Sequence, residues 1–219
     1  MSGAPLWRVG HRADPFGFVP RELCQWSQRF DDAERRFRTV YCAQLPETAL
    51  REVVADFRPN LAARRAFLEA FGDEARADLV AEPVTAAWRR EHVLAPAEAR
   101  LEGPLVDLTD LGVRTELETR HILLLLEHGL DHLDVHEITT RRRAVTQTIA
   151  TDLHDRLGAA AVRFPSRLDG NPCLAVFEEH GELVAAGSPV ALTDPAPDVL
   201  VQVCDEWELK LEPAPAAAS

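Results

Sequence analysis

Three residue types able to do chemistry together fall within one short stretch of the chain: Arg29, Tyr41 and Glu52. A guanidinium grips an anion such as a phosphate through paired, charge-assisted hydrogen bonds. A carboxylate stabilises positive charge developing in a reacting group, most strongly where water is excluded. An aromatic ring offers a stacking surface. Singly these residues are ordinary, because a glutamate at a helix edge is usually solvated and a tyrosine in a strand is usually core.

Other candidates carry less. His128, His132 and His136 recur at every fourth position, which on one helix would make a metal-binding face. Gly129 and the aspartates at 131 and 134 break such a helix and leave a polar loop. The run Arg141-Arg142-Arg143 lies in the first turns of a helix and reads as a solvated basic face. Ser166, followed by Arg167, ends an apolar run, without the Gly-x-Ser-x-Gly elbow or histidine partner of a serine hydrolase.

The elements that must position these residues follow from periodicity. Leu6-Trp-Arg-Val predicts a first strand, closed by a polar loop to Pro20. Residues 37–43 predict a strand with Phe37, Thr39 and Tyr41 on one face and Val40 and Cys42 on the other. Pro46 opens a helix in which Ala49, Leu50, Val53, Val54 and Phe57 recur at helical spacing, ending at the pre-proline Arg58. Glu52 and Asp56 fall at the margin of that apolar stripe. A second helix spans 61–71 up to Gly72. Residues 82–101 are ambiguous, with Trp88 as their core anchor. Residues 105–108 form a short strand, and 116–128 a helix with a broad leucine face stopped by Gly129. Thr139 or Thr140 caps a long helix to Leu157, with Gly158 at its end. Strands at 159–164 and 173–177 flank a loop, and 199–203 and 207–211 are late strand candidates. Strands thus bracket a helical middle, the pattern of an α+β protein with a mixed β core and surrounding helices. Residues 1–212 make one domain and 213–219 a frayed tail.

Composition narrows the class. A chain of 219 residues with 46% apolar and 27% charged content has the make-up of a folded globular protein. Its net charge of −12 opposes direct binding to nucleic acid or an anionic membrane. Cys24, Cys42, Cys173 and Cys204 are scattered without a Cys-x-x-Cys pair, as expected of reduced thiols in a cytoplasmic protein. No signal peptide or membrane-spanning stretch is evident.

The order of several short segments resembles one family. Leu-Trp-Arg-Val at 6–9, Arg-Phe-Asp-Asp at 29–32, Phe-Arg-Thr-Val-Tyr-Cys-Ala at 37–43 and Thr-Ala-Leu-Arg-Glu-Val at 48–53 are similar to the RES domain family, named for its arginine, glutamate and serine motifs. Thr146-Gln-Thr-Ile-Ala, Val162-Arg-Phe-Pro-Ser-Arg and Cys173-Leu-Ala-Val-Phe-Glu resemble its later pieces. The resemblance implies a fold like that of ADP-ribosylating toxins and action on NAD as substrate, without a metal. Cleavage of the nicotinamide–ribose bond would make the chain an NAD glycohydrolase or phosphorylase, or an ADP-ribosyltransferase with a protein acceptor. It further implies the toxin of a toxin–antitoxin pair, with a small helix-turn-helix antitoxin as partner.

Carried onto this chain, the family's residues fall on Arg29, Tyr41, Glu52 and Ser166, with Arg38 a further candidate. Glu52 would stabilise the charged ribose, Arg29 and Arg38 hold the pyrophosphate, Tyr41 stack on nicotinamide, and Ser166 bond the carboxamide or a ribose hydroxyl. Many members have Gly-Gly-Arg-Trp around the arginine, whereas this chain has Ser27-Gln-Arg-Phe. A non-catalytic module that binds a nucleotide or a protein is the alternative reading.

Overall fold

The computed structural model describes residues 5–72, 82–140, 142–193 and 195–213. Eight strands form one sheet: β1 (Leu6–His11), β2 (Thr39–Ala43), β3 (His92–Leu101), β4 (Leu105–Asp107), β5 (Ala161–Pro165), β6 (Pro172–Phe177), β7 (Gly181–Ala185) and β8 (Val190–Ala191). The order is β4-β5-β6-β2-β1-β3-β7, and β8 pairs with β3. Every pairing is antiparallel except β4 with β5. Eight helices accompany the sheet among the described residues: α1 (Pro46–Val54), α2 (Leu61–Phe71), α3 (Ala86–Glu91), α4 (Leu111–Arg120), α5 (Ile122–Glu127), α6 (Val135–Thr139), α7 (Arg143–Leu157) and α8 (Asp198–Glu206). The α+β expectation, with a mixed β core and surrounding helices, holds.

The pleat sorts side chains into two apolar layers, as alternation along a strand requires. Val40 and Cys42 of β2 join Leu174, Val176, Ala97 and Leu183 on one face. Tyr41 and Ala43 turn to the other face, where Cys173, Phe164, Val9 and the helices build the main core. α1 packs on that second face. Pro46 stands in its first turn, where the missing N–H costs nothing, and Ala49, Leu50 and Val54 are buried beneath it. The chain then tightens into a 3-10 turn at Ala55–Phe57 before the pre-proline Arg58.

Several expectations are corrected by tertiary packing. Residues 199–203 form a helix, because Leu200, Val203 and Cys204 present a helical i, i+3, i+4 stripe to the core. Residues 207–211 contribute only a bridge from Leu211 to Val84. The strands at 181–185 and 190–191 were not expected, since neither carries a long apolar run. The ambiguous 82–101 region resolves into α3 followed by β3. Its buried charged side chain is Arg89 (1% exposed), which donates to the carbonyls of Leu192 and Glu212. Trp88 is half-buried and stacks on His92 at 4.5 Å between ring centroids.

The helix expected over 116–128 is split at His121 into α4 and α5, and Ile122, Leu123 and Leu126 are exposed. Thr139 ends α6 instead of capping a long helix, and α7 begins only at Arg143. Arg141 lies outside the described residues, and so does most of the tail expected at 213–219. Gly129 and Gly158 take positive φ (64° and 58°) at helix ends, as foreseen. Among the described residues no helix is long and apolar enough to cross a membrane.

Candidate active site

A cavity of about 710 Å³ opens on the α1 face of the sheet, a volume suited to a small-molecule ligand. The strands supply Trp7, Tyr41 and Phe164 to its lining, and α1 supplies Glu52. The loop before β2 brings Arg29, the start of α7 brings Arg143, and the turn after β5 brings Arg167.

Glu52 owes its place to a zipper between α1 and the turn joining β5 to β6. Thr48, fully buried, donates to Asp169 Oδ2 at 2.8 Å, and Arg51 Nη1 donates to the same oxygen at 2.9 Å. One residue further, Ser166 Oγ donates to Glu52 Oε1 at 2.5 Å. Arg51 also pairs with Glu206 of α8, which fixes the other flank of the helix. Burial opposes the charged form of Asp169. The hydrogen bonds from Thr48, Asn171 and Arg51 outweigh it and hold the carboxyl below its ordinary value.

Ser166 lies behind the cavity wall. It is 3% exposed, and its hydroxyl accepts from the Leu168 N–H at 3.0 Å while donating to Glu52. In this structure the Ser166 hydroxyl proton is engaged by the Glu52 carboxylate. Glu52 itself is exposed to the cavity.

Arg29 is delivered by a loop held from three sides. Gln147 Nε2 of α7 donates to the carbonyls of Gln28 (2.8 Å) and Trp26 (3.3 Å), and Arg143 donates to that of Ser27. Tyr41 holds the far end, since its hydroxyl accepts from the Phe30 N–H at 2.9 Å and donates to Asp31 Oδ1 at 3.2 Å. Neither Ser27 nor Gln28 has a positive φ, so the backbone there does not require glycine; the left-handed position is Trp26 (φ 52°). Arg29 Nη1 donates to the carbonyls of Ile138 (2.6 Å) and Thr140. Burial lowers its pKa, the nearby Glu52 acts against that, and the charges of Arg143 and Arg167 add to it. The Tyr41 hydroxyl is pushed well above its usual range by burial first and Asp31 second, so it stays a neutral donor.

The sequence-derived candidates thus divide. Arg29, Tyr41 and Glu52 line one cavity, and Ser166 stands directly behind Glu52. Arg38 does not line this cavity. Its Nε and Nη2 donate to Glu178, and its Nη1 donates to the carbonyl of Val19 at 3.1 Å. The histidines at 128, 132 and 136 fall on separate segments, His132 pairing with Glu118 at 3.3 Å. Among the described residues no group of three histidine, cysteine or acidic side chains could hold a metal ion.

Sequence reasoning passed over Arg143 and Arg167. The first was read as part of a solvated basic run, and the second only as a neighbour of Ser166. The one signal for Arg167 was that adjacency.

The RES domain profile matches residues 5–199, and the chain belongs to the RES domain family. A chain of the M. tuberculosis MbcT–MbcA toxin–antitoxin complex is similar in structure, with a TM-score of 0.48 and 15% identity, covering 91% of this chain and 87% of that chain. No curated protein matches the sequence.

Proposed function

We propose that this RES domain protein consumes NAD by breaking the bond between nicotinamide and ribose. The observation that carries the reading is the Glu52 carboxylate, oriented by Ser166 at 2.5 Å, in the same cavity as Arg29. In this reaction nicotinamide leaves with the electron pair of the glycosidic bond, which neutralises its pyridinium nitrogen. Positive charge then builds on the ribose C1′ and ring oxygen, as in other glycosidic cleavages. Glu52, fixed before the substrate arrives, stabilises that charge without reorganisation. Arg29 holds the pyrophosphate, and the Tyr41 ring forms the wall against nicotinamide.

Water, phosphate or a protein side chain can then add to C1′, giving glycohydrolase, phosphorylase or ADP-ribosyltransferase activity. Consumption of NAD makes the protein a toxin to its own cell, with a small helix-turn-helix antitoxin as the expected partner in the cytoplasm. The test is nicotinamide release from NAD by the purified protein and by Glu52→Ala. Release by wild type and none by the variant supports the reading. Binding of NAD without release would instead make the protein a nucleotide-binding module, and equal release by both proteins would remove Glu52 from the chemistry.

A further inference from the structure

Four arginines line the cavity. Arg8 of β1 is spent on the carbonyls of Pro15 and Tyr41. Three more come from separate parts of the chain: Arg29 from the loop before β2, Arg143 from the first turn of α7 and Arg167 from the β5–β6 turn. They are close enough that Arg143 and Arg167 act electrostatically on Arg29. None forms a salt bridge among the described residues. Other arginines of the chain are held by carboxylates: Asp169 and Glu206 take Arg51, Glu178 takes Arg38, and Asp32 takes Arg36.

Donors remain available within the cluster. Arg29 uses only Nη1, on two carbonyls, and Arg143 uses only Nη1, on the Ser27 carbonyl. Arg167 makes no hydrogen bond or ion pair among the described residues. A protein with 36 acidic and 24 basic residues has carboxylates to spare, yet sets these three cations in a concave site without a salt bridge among the described residues, Glu52 acting on Arg29 and Asp31 on Arg143 only through space. Like charges so gathered repel each other, and an anion of matching size relieves that repulsion while filling the free N–H groups.

We infer that Arg29, Arg143 and Arg167 form a cradle for the diphosphate of a dinucleotide-type ligand, and that Arg143 and Arg167 take the role expected of Arg38. Two charges spread over a diphosphate need donors from more than one direction, which three arginines on separate elements provide and Arg29 alone does not. The inference deepens the NAD reading and rests on it for the identity of the ligand. It also makes the site selective, since a nucleoside without phosphates leaves the cradle empty.

Calorimetry with ADP-ribose and with adenosine tests it, on wild type, Arg167→Gln, Arg143→Lys and the control Arg65→Gln, a surface arginine of α2. Arg167 makes no hydrogen bond or ion pair among the described residues, so its variant keeps the fold. Arg143→Lys keeps the charge, removes the fork and also weakens the hold on the Ser27 carbonyl, so its loss is read beside that of Arg167→Gln. ADP-ribose should bind wild type and Arg65→Gln alike, about tenfold more weakly to Arg167→Gln, and several-fold more weakly to Arg143→Lys, with the loss shrinking at high salt. Adenosine should not distinguish the four proteins. No binding of ADP-ribose to wild type, unchanged binding in both cavity variants, or an equal loss for adenosine overturns the cradle. Nicotinamide release is scored separately. ADP-ribose binding through these arginines without release keeps the cradle and removes the catalytic reading. Release that is indifferent to both variants keeps the catalytic reading and removes the cradle.

Discussion

Ser166 donates its hydroxyl proton to Oε1 of Glu52 at 2.5 Å, joining residues 114 positions apart in the chain. The bond fixes which way the carboxylate faces, because the other side of Ser166 is held by the Leu168 N–H and its own N–H donates to the Asn171 carbonyl. Ser166→Ala should therefore leave Glu52 in place but free to turn. Nicotinamide release should fall by about ten- to a hundredfold, in kcat more than in KM, since misplacing a reacting group by about 1 Å costs on that order. Steady-state kinetics check this, and Ser166→Thr should restore part of the rate. A change confined to KM would mean that Ser166 contacts the ligand instead.

Tyr41→Phe removes the hydroxyl that receives Phe30 N–H and caps Asp31, leaving both without that partner. Stability should drop by about 1–3 kcal/mol, the cost of an unsatisfied buried polar group. Because the same loop delivers Arg29, the KM for NAD should rise as well. Urea unfolding and kinetics on one preparation separate the two effects. An unaltered unfolding midpoint would show that the hydroxyl carries no structural load.

Arg38→Ala should act on stability and not on the site. Its guanidinium and backbone N–H both engage Glu178, whose carboxyl is held below its ordinary value chiefly by that side-chain pairing. Removing one partner of this half-buried pair should cost about 1–3 kcal/mol. The KM for NAD should stay at the wild-type value. A large rise in KM with unchanged stability would return Arg38 to the ligand.

Acid should loosen the α1 zipper. The folded-state pKa values of Asp169 and Glu178 are both lowered, so each contributes stability above the unfolded carboxylate range, at about pH 4 and higher. That contribution is lost as pH falls through the lower, folded-state values. Unfolding free energy followed from pH 6 to 2.5 should decline most steeply below about pH 4. In Asp169→Asn the decline should be shallower, starting from a less stable protein. Parallel curves for the two proteins would show that Asp169 carries none of it.

Thiol labelling tests the cysteine environments. Cys42, Cys173 and Cys204 are buried, and burial pushes Cys42 up to about 12 and Cys204 up to about 11. At neutral pH they should resist alkylation in the native protein, leaving the half-buried Cys24 as the reacting site. Mass spectrometry after a short iodoacetamide pulse should show one adduct, rising to four in urea. Multiple adducts before unfolding would place the other thiols nearer the surface.

Much of the local structure could be read from the chain alone. The strand expected at 37–43 and found at 39–43, the helix opened by Pro46 and the glycine stops at 72 and 158 rest on chemistry within a few residues, where alternation, a fixed proline φ and a glycine at positive φ each leave a mark. The order of RES-like segments fixed the family, and with it Arg29, Tyr41, Glu52 and Ser166 as candidates. Long-range pairing decided the rest. Residues 199–203 carry valines that suit a strand or a helix, and only the core they meet selected the helix. Arg38 and Arg143 are the same residue type beside apolar elements, and nothing near them in sequence says that one meets Glu178 and the other a cavity. The partner of Ser166 was decided in the same way, because a serine can bond a ligand or a carboxylate. Which it does depends on the side chain that the fold brings to it, and for Ser166 that partner stands on α1, reached only when the β5–β6 turn closes over the helix.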